Sequence, residues 1–217
     1  YYQEDNGITI EEQKSEVATV KSLLSKASKN AKGNKGYPEF IIHTQQDAKF
    51  LIVFECKSDV KKHESQDRDK PVDFAVDGVL HYAQHLSKNY TVLAVAVSGT
   101  EKNNVKISNF VIAEGSACIR PLTNESGLLI EEILPFEDYY RLVSFDPDVA
   151  KKRHSDLLEF SKELHELIWA KAKISEEDKP LLVSGTLIAL MNSFFMKTFK
   201  NHAAEDLQDA WLSAIKK

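Results

Sequence analysis

The sequence predicts an α/β protein with a mixed sheet flanked by helices, followed by an all-helical tail. Three observations carry that expectation. Two short runs rich in Ile, Val and Phe, Pro38 to His43 and Lys49 to Lys57, are separated only by the polar segment TQQDA, as in a strand pair joined by a tight loop. The near-continuous apolar run TVLAVAVSGT, with Gly99 at its end, has the character of a strand covered on both faces. Beyond Pro121 apolar residues recur only at helical spacing, with no strand signal between them.

Taken in order, Thr9 to Ala31 reads as a helix, because Ile10, Val17, Val20 and Leu24 share one face and Gly33 and Gly36 follow as stop signals. Thr9 with Glu12 three residues on fits a capping box. After the strand pair, SDVKKHESQDRDK from Ser58 to Lys70 has no apolar period and reads as a mobile, solvated loop. Asp73 to Lys88 returns to a helical pattern, and the apolar run is followed by a further strand, Val105 to Ala113. Helices are then expected at Glu131 to Val143, Val149 to Lys171, Pro180 to Lys200 and Ala203 to Ile215. Asp146-Pro147-Asp148 marks a boundary. The expected domains are an α/β module over 1–145 and a helical connector over 146–217.

At 217 residues the chain can bury an ordinary core, and 42% hydrophobic with 28% charged residues excludes disordered and low-complexity classes. A net charge of -5 argues against a protein that coats nucleic acid by bulk charge. Cys56 and Cys118 are too few for a disulfide scaffold, which fits a reducing cytoplasm. The most apolar window, Leu181 to Met196, is shorter than the ~20 residues that span a bilayer, and it reads as a buried helix, so no membrane partner is expected. The chain opens on Tyr1 and has no basic-then-apolar leader, so it reads as part of something longer.

The chemistry concentrates at the strand end FLIVFECKSD. Side chains alternate across a strand, so Glu55 and Lys57 share one face, and Cys56 is expected as a small core residue on the other. The partner strand opens GYPEFII; antiparallel pairing through the TQQDA turn would bring Glu39 beside Glu55 and Lys57. Two carboxylates can hold Mg²⁺, which lowers the pKa of a bound water, while a lysine orients that water and stabilises developing charge. The bland alternative for Glu55 and Lys57 is a surface ion pair worth ~0 to 1 kcal/mol.

An acid after Pro at a strand start, Pro38-Glu39, followed by Glu55-Cys56-Lys57 at the next strand end, resembles the PD-(D/E)xK nuclease signature, with Glu39 where that family usually has Asp. The wider text GYPEFII, IVFECKSDVKKHES and AVDGVLHYAQHLS is similar to the amino-terminal nuclease of single-chain restriction-modification enzymes, the Type IIG and single-polypeptide Type I-like proteins fused to an N6-adenine DNA methyltransferase. LHELIWAKAKISEEDKPLLVSGTLIAL resembles their helical connector. The resemblance implies a restriction-endonuclease-like fold and an Mg²⁺-dependent endonuclease acting on double-stranded DNA. Glu39, Glu55 and the carbonyl of Cys56 would ligate the metal, with Lys57 acting on the water. It also implies methyltransferase and target-recognition domains in the same longer chain, with S-adenosylmethionine a cofactor only if the methyltransferase follows. Double-strand cleavage would call for a transient dimer.

Relatives of this type carry a Gln or Tyr on the following helix facing the site, which nominates Gln84 or Tyr82. They often add an acid from the first helix, for which Glu16 is preferred over the capping Glu12; Asp47, in the turn, is an alternative ligand to Glu39. His81 and His85 have the spacing of paired zinc ligands but lack the glutamate of the zincin motif. Lys61, Lys62 and His63 could meet phosphates, and the lysines between Lys14 and Lys35 could form a backbone-tracking stripe or simply a solvated face. Two other functions stay open: an inactive nuclease-like fold serving as a DNA-binding or assembly module, and a repair or junction nuclease.

Overall fold

The computed structural model describes residues 7–29, 37–45, 47–101, 103–172, 175 and 177–216. The chain divides into two compact units, 1–152 and 153–217.

The first unit is a six-stranded sheet in the order β1(Ile8–Glu12), β2(Phe40–Thr44), β3(Phe50–Lys57), β4(Thr91–Glu101), β5(Asn104–Ile112) and β6(Arg120–Pro121). All neighbours are antiparallel except β3 and β4, which run parallel because α2(Ala75–Leu86) carries the chain back between them. The mixed sheet is therefore set by one helical crossover among hairpins. The β4–β5 hairpin needs Gly99: its φ is +108°, and a Cβ there would sit 2.1 Å from the Asn104 carbonyl oxygen.

Strand alternation sorts the core into two layers. Ile41, Leu51, Val53, Val92 and Ala94 face α1(Ala18–Leu24) and α2, sharing a cluster with Val20, Val79 and Leu86. Ile42, Phe50, Ile52, Phe54 and Leu93 face α3(Phe136–Ser144), packing with Phe136, Tyr139 and Val143. Val149, in the first turns of α4(Pro147–Ala172), is buried in this second cluster, which is why the first unit runs past Phe145. Asp146 caps that helix, accepting from the Asp148 and Val149 amides at 2.9 and 3.2 Å.

Several expectations are corrected. The predicted first helix, Thr9 to Ala31, is a strand followed by a shorter helix: Ile8 and Ile10 alternate along β1, and pairing with β2 outweighs the helical spacing that Ile10 shares with Val17 and Val20. Glu12 thus ends a strand, and the Thr9–Glu12 capping box does not form. Ala31 lies outside the described residues. The segment Ser58 to Lys70 is tied down rather than solvated throughout, with His63 and Ser65 buried. Asp77, in the first turn of α2, accepts from the Ser65 and Lys70 amides at 3.1 and 2.9 Å and from the Ser65 hydroxyl. Burial raises the Asp77 pKa, but these hydrogen bonds outweigh it and hold the carboxyl below the ordinary aspartate value.

In the second unit α5(Lys179–Met191), α6(Ser193–Thr198) and α7(Ala204–Ile215) close a small core around Ala189, Phe195 and Ala214. The single helix expected from Pro180 to Lys200 breaks at Asn192, whose side chain accepts from the Phe194 and Phe195 amides and starts α6 after an 87° bend. Leu181, Met191 and Phe194 are well exposed, so this apolar stretch is only partly buried. No single helix among the described residues is long and apolar enough to cross a membrane.

Candidate active site

The β2–β3 hairpin places the acids. Phe40 pairs with Phe54, and one step further the Glu39 amide donates to the Phe54 carbonyl at 3.0 Å, setting Glu39 beside Glu55 at the end of β3. Glu55 follows Leu51 and Val53 onto the α2 side of the sheet, where its side chain is 2% exposed. Lys57, two residues on, donates to Glu55 Oε1 at 3.0 Å.

A second lysine completes the group. Lys29 reaches in from the segment after α1 and donates to the same Glu55 Oε1 at 2.5 Å, with its ammonium 4.5 Å from the centre of the Tyr82 ring. Burial lowers the Lys29 pKa below the ordinary lysine value, while the Glu55 carboxylate works in the opposite sense. Room for this pair comes from Gly78 in α2. A Cβ there would sit 2.9 Å from Lys29 Nζ, 2.9 Å from the Pro71 carbonyl oxygen and 3.1 Å from Glu55 Cγ. Glu55 Oε2, by contrast, is buried and has no hydrogen-bond partner.

Tyr82 positions the strand carrying Glu39. Its hydroxyl donates to the Tyr37 carbonyl and accepts from the Tyr37 amide, both at 3.1 Å, two residues before Glu39. Burial, then the nearby Glu55 and Glu39 charges, push the Tyr82 phenol well above its usual range. The Glu39 charge also acts on Lys29 and Cys56.

Of the residues nominated from sequence, the hairpin therefore gathers Glu39, Glu55, Lys57 and Tyr82, with Cys56 between the acid and the lysine. Cys56 is solvent-exposed rather than part of the core, because the far side of the sheet opens beyond Phe54. Desolvation by the surrounding protein and the charges of Glu39 and Glu55 push its thiol up to about 11. Gln84 sits on the exposed side of α2. Asp47 lies at the opposite end of the hairpin, accepting from the Lys49 amide and the Tyr140 hydroxyl. Glu16, on the β1–α1 connection, is 90% exposed and pairs with Lys21 at 3.5 Å. His63 is not a surface phosphate ligand: its ring nitrogens bond Ser98 Oγ and Ser108 Oγ at 2.7 and 2.9 Å. Lys61 and Lys62 stay at the surface, Lys62 paired with Asp73.

Among the described residues there is no group of three or more His, Cys, Asp or Glu side chains that could hold a metal ion. A two-carboxylate site still suits Mg²⁺, which is usually held by one or two carboxylates with substrate phosphates and water completing its shell. The free, buried Glu55 Oε2 beside Glu39 is the donor such an ion needs.

The sequence singles out neither Lys29 nor Gly78 as a site residue. Lys29 is one of several lysines in the first segment. Gly78 did carry a signal, since a glycine inside the helical run AVDGVLHYAQHL is costly unless another group needs its space.

A six-stranded mixed sheet flanked by helices, followed by a helical C-terminal part, defines an α/β, restriction-endonuclease-like fold. Over 210 residues the chain is 29% identical to the Type II restriction enzyme and methyltransferase RM.BcgI of Heyndrickxia coagulans, a match covering 88% of this chain and 31% of that protein. The chain thus spans about a third of its relative's length and is related to a restriction-modification enzyme across most of its own. No family model matches the chain, and no solved structure matches it.

Proposed function

We propose that this chain is the Mg²⁺-dependent endonuclease domain of a restriction-modification enzyme, hydrolysing phosphodiester bonds in double-stranded DNA. The observation that carries the reading is the buried Glu55 carboxylate, with Lys57 and Lys29 on one oxygen and nothing on the other. A buried ionised oxygen without a partner is expensive, and a ligand removes that cost.

Glu39 and Glu55 would hold the metal, with the Cys56 carbonyl as a third donor; when bound, the ion supplies charge neutralisation at the scissile phosphate and an acidified water. Lys57, fixed by its bond to Glu55, orients that water and stabilises charge developing on the phosphate. Tyr82 acts one step back, holding Tyr37 and so the approach of Glu39. Sequence specificity would come from target-recognition and methyltransferase domains of a longer chain, with S-adenosylmethionine serving the latter.

Incubation of this chain with supercoiled plasmid and Mg²⁺ should give nicked or linear product. Lys57→Ala should lower the rate at least about 10²-fold, as loss of a charge-stabilising donor does. If both proteins are inert yet bind DNA equally, the chain is a DNA-binding or assembly module.

A further inference from the structure

Lys29 has no part in the chemistry just described, yet it makes the shortest polar contact to Glu55. Its ammonium is held by three independent features: the 2.5 Å bond to Oε1, the face of the Tyr82 ring, and a space that exists only because residue 78 is glycine. Its side chain is 13% exposed, so this is no surface pair loosened by solvent.

Two carboxylates, Glu39 and Glu55, thus face two ammoniums, Lys29 and Lys57, and the metal-free site is close to neutral. A dication approaching Oε2 meets a carboxylate whose charge is already shared by two cations on Oε1. We propose that Lys29 is a built-in counter-cation of Glu55: it stabilises the buried carboxylate while no metal is bound and, by the same charge, weakens the site's hold on a divalent cation. The inference rests on the two-carboxylate metal site proposed above.

This role has a sign opposite to that of a residue that merely positions Glu55. A positioning lysine, once removed, leaves a disordered carboxylate and weaker metal binding. A counter-cation, once removed, leaves a more negative site and stronger metal binding.

The test is calorimetric titration of the 217-residue chain with Ca²⁺, a cation of the same charge and oxygen preference. Lys29→Met keeps the apolar stem and should bind Ca²⁺ about tenfold or more tightly than the wild type. Lys29→Arg, which keeps the charge, should match the wild type. In melting experiments Lys29→Met should start lower without metal and gain more from added Ca²⁺, because binding to the folded form adds stability. Should Lys29→Met fail to fold, Lys29→Gln carries the same expectation, since it removes the charge while keeping a polar, flexible side chain.

Unchanged or weaker Ca²⁺ binding in the neutral variants, or a gain in Lys29→Arg as well, overturns the inference. Plasmid nicking separates the two proposals. If wild-type protein nicks DNA with Mg²⁺ while the neutral variants show no gain in affinity, only the role of Lys29 falls. A wild type that neither binds Ca²⁺ nor nicks removes the metal site, and this inference with it.

Discussion

Asn109 and Glu55 are polar side chains buried to nearly the same degree on opposite faces of one sheet, and their partners differ. On the α3 face, Asn109 donates to the Ile130 and Glu132 carbonyls at 2.8 and 3.1 Å and accepts from the Tyr139 hydroxyl at 2.7 Å. On the α2 face, Glu55 has one oxygen doubly bonded and the other bare. A fully partnered buried amide fixes a connection, here the strand-poor segment from Leu122 to Glu132 against β5. A half-partnered carboxylate leaves capacity for something outside the protein. The α3 face is built for stability, and the α2 face gives some of it up.

The largest effect should follow from breaking the satisfied face. Asn109→Leu strands the Ile130 carbonyl and removes one of the Tyr139 hydroxyl's partners, which should cost about 2–4 kcal/mol. Urea unfolding would measure it, and Ca²⁺ affinity in the folded fraction should stay unchanged. A loss below about 1 kcal/mol would undo the contrast between the faces.

Gly78→Ala sharpens the other side. An ordinary helix glycine gains up to about 1 kcal/mol on this change. Here the new methyl would press on the rigid Pro71 carbonyl as well as on Lys29 and Glu55, so the variant should lose about 1–2 kcal/mol. A variant more stable than wild type would show that the close approach at residue 78 is not needed.

The smallest effect is a pH slope. Burial lowers the pKa of His63, seated between Ser98 and Ser108 one strand over from Lys57, and that of His81. Each ring is therefore harder to protonate in the fold than in the unfolded chain, so this contribution to stability is complete above about pH 6.5 and declines as pH falls below it. Urea midpoints at pH 7.5 and 5.5 should show that decline, and His63→Gln should make it shallower. Equal slopes in the two proteins would remove His63 as its source.

How far these features could be read in advance depended on how local they are. The β2–β3 hairpin, α2 and the apolar β4 rest on runs within the chain, so the closeness of Glu39, Glu55 and Lys57 is legible together with those strands. β1 is not legible because ITIEE is short and its pairing partner lies on the order of thirty residues away. α5 and α6 look like one helix in the sequence because apolar spacing continues across Asn192, while the cap that stops it is a single side chain. Lys29 escaped for a similar reason: its meaning lies in a contact 26 residues distant in sequence, and only Gly78 hinted that something needed the space.

Asp77 also holds the loop that follows β3, stitching Ser65 and Lys70 to the start of α2 and so fixing that stretch in place. Ordering a free backbone costs roughly 1–2 kcal/mol per residue. A stretch ordered by these bonds has met that cost in folding, and its amides between Ser65 and Lys70 should exchange with deuterium as slowly as the first turn of the helix that holds them.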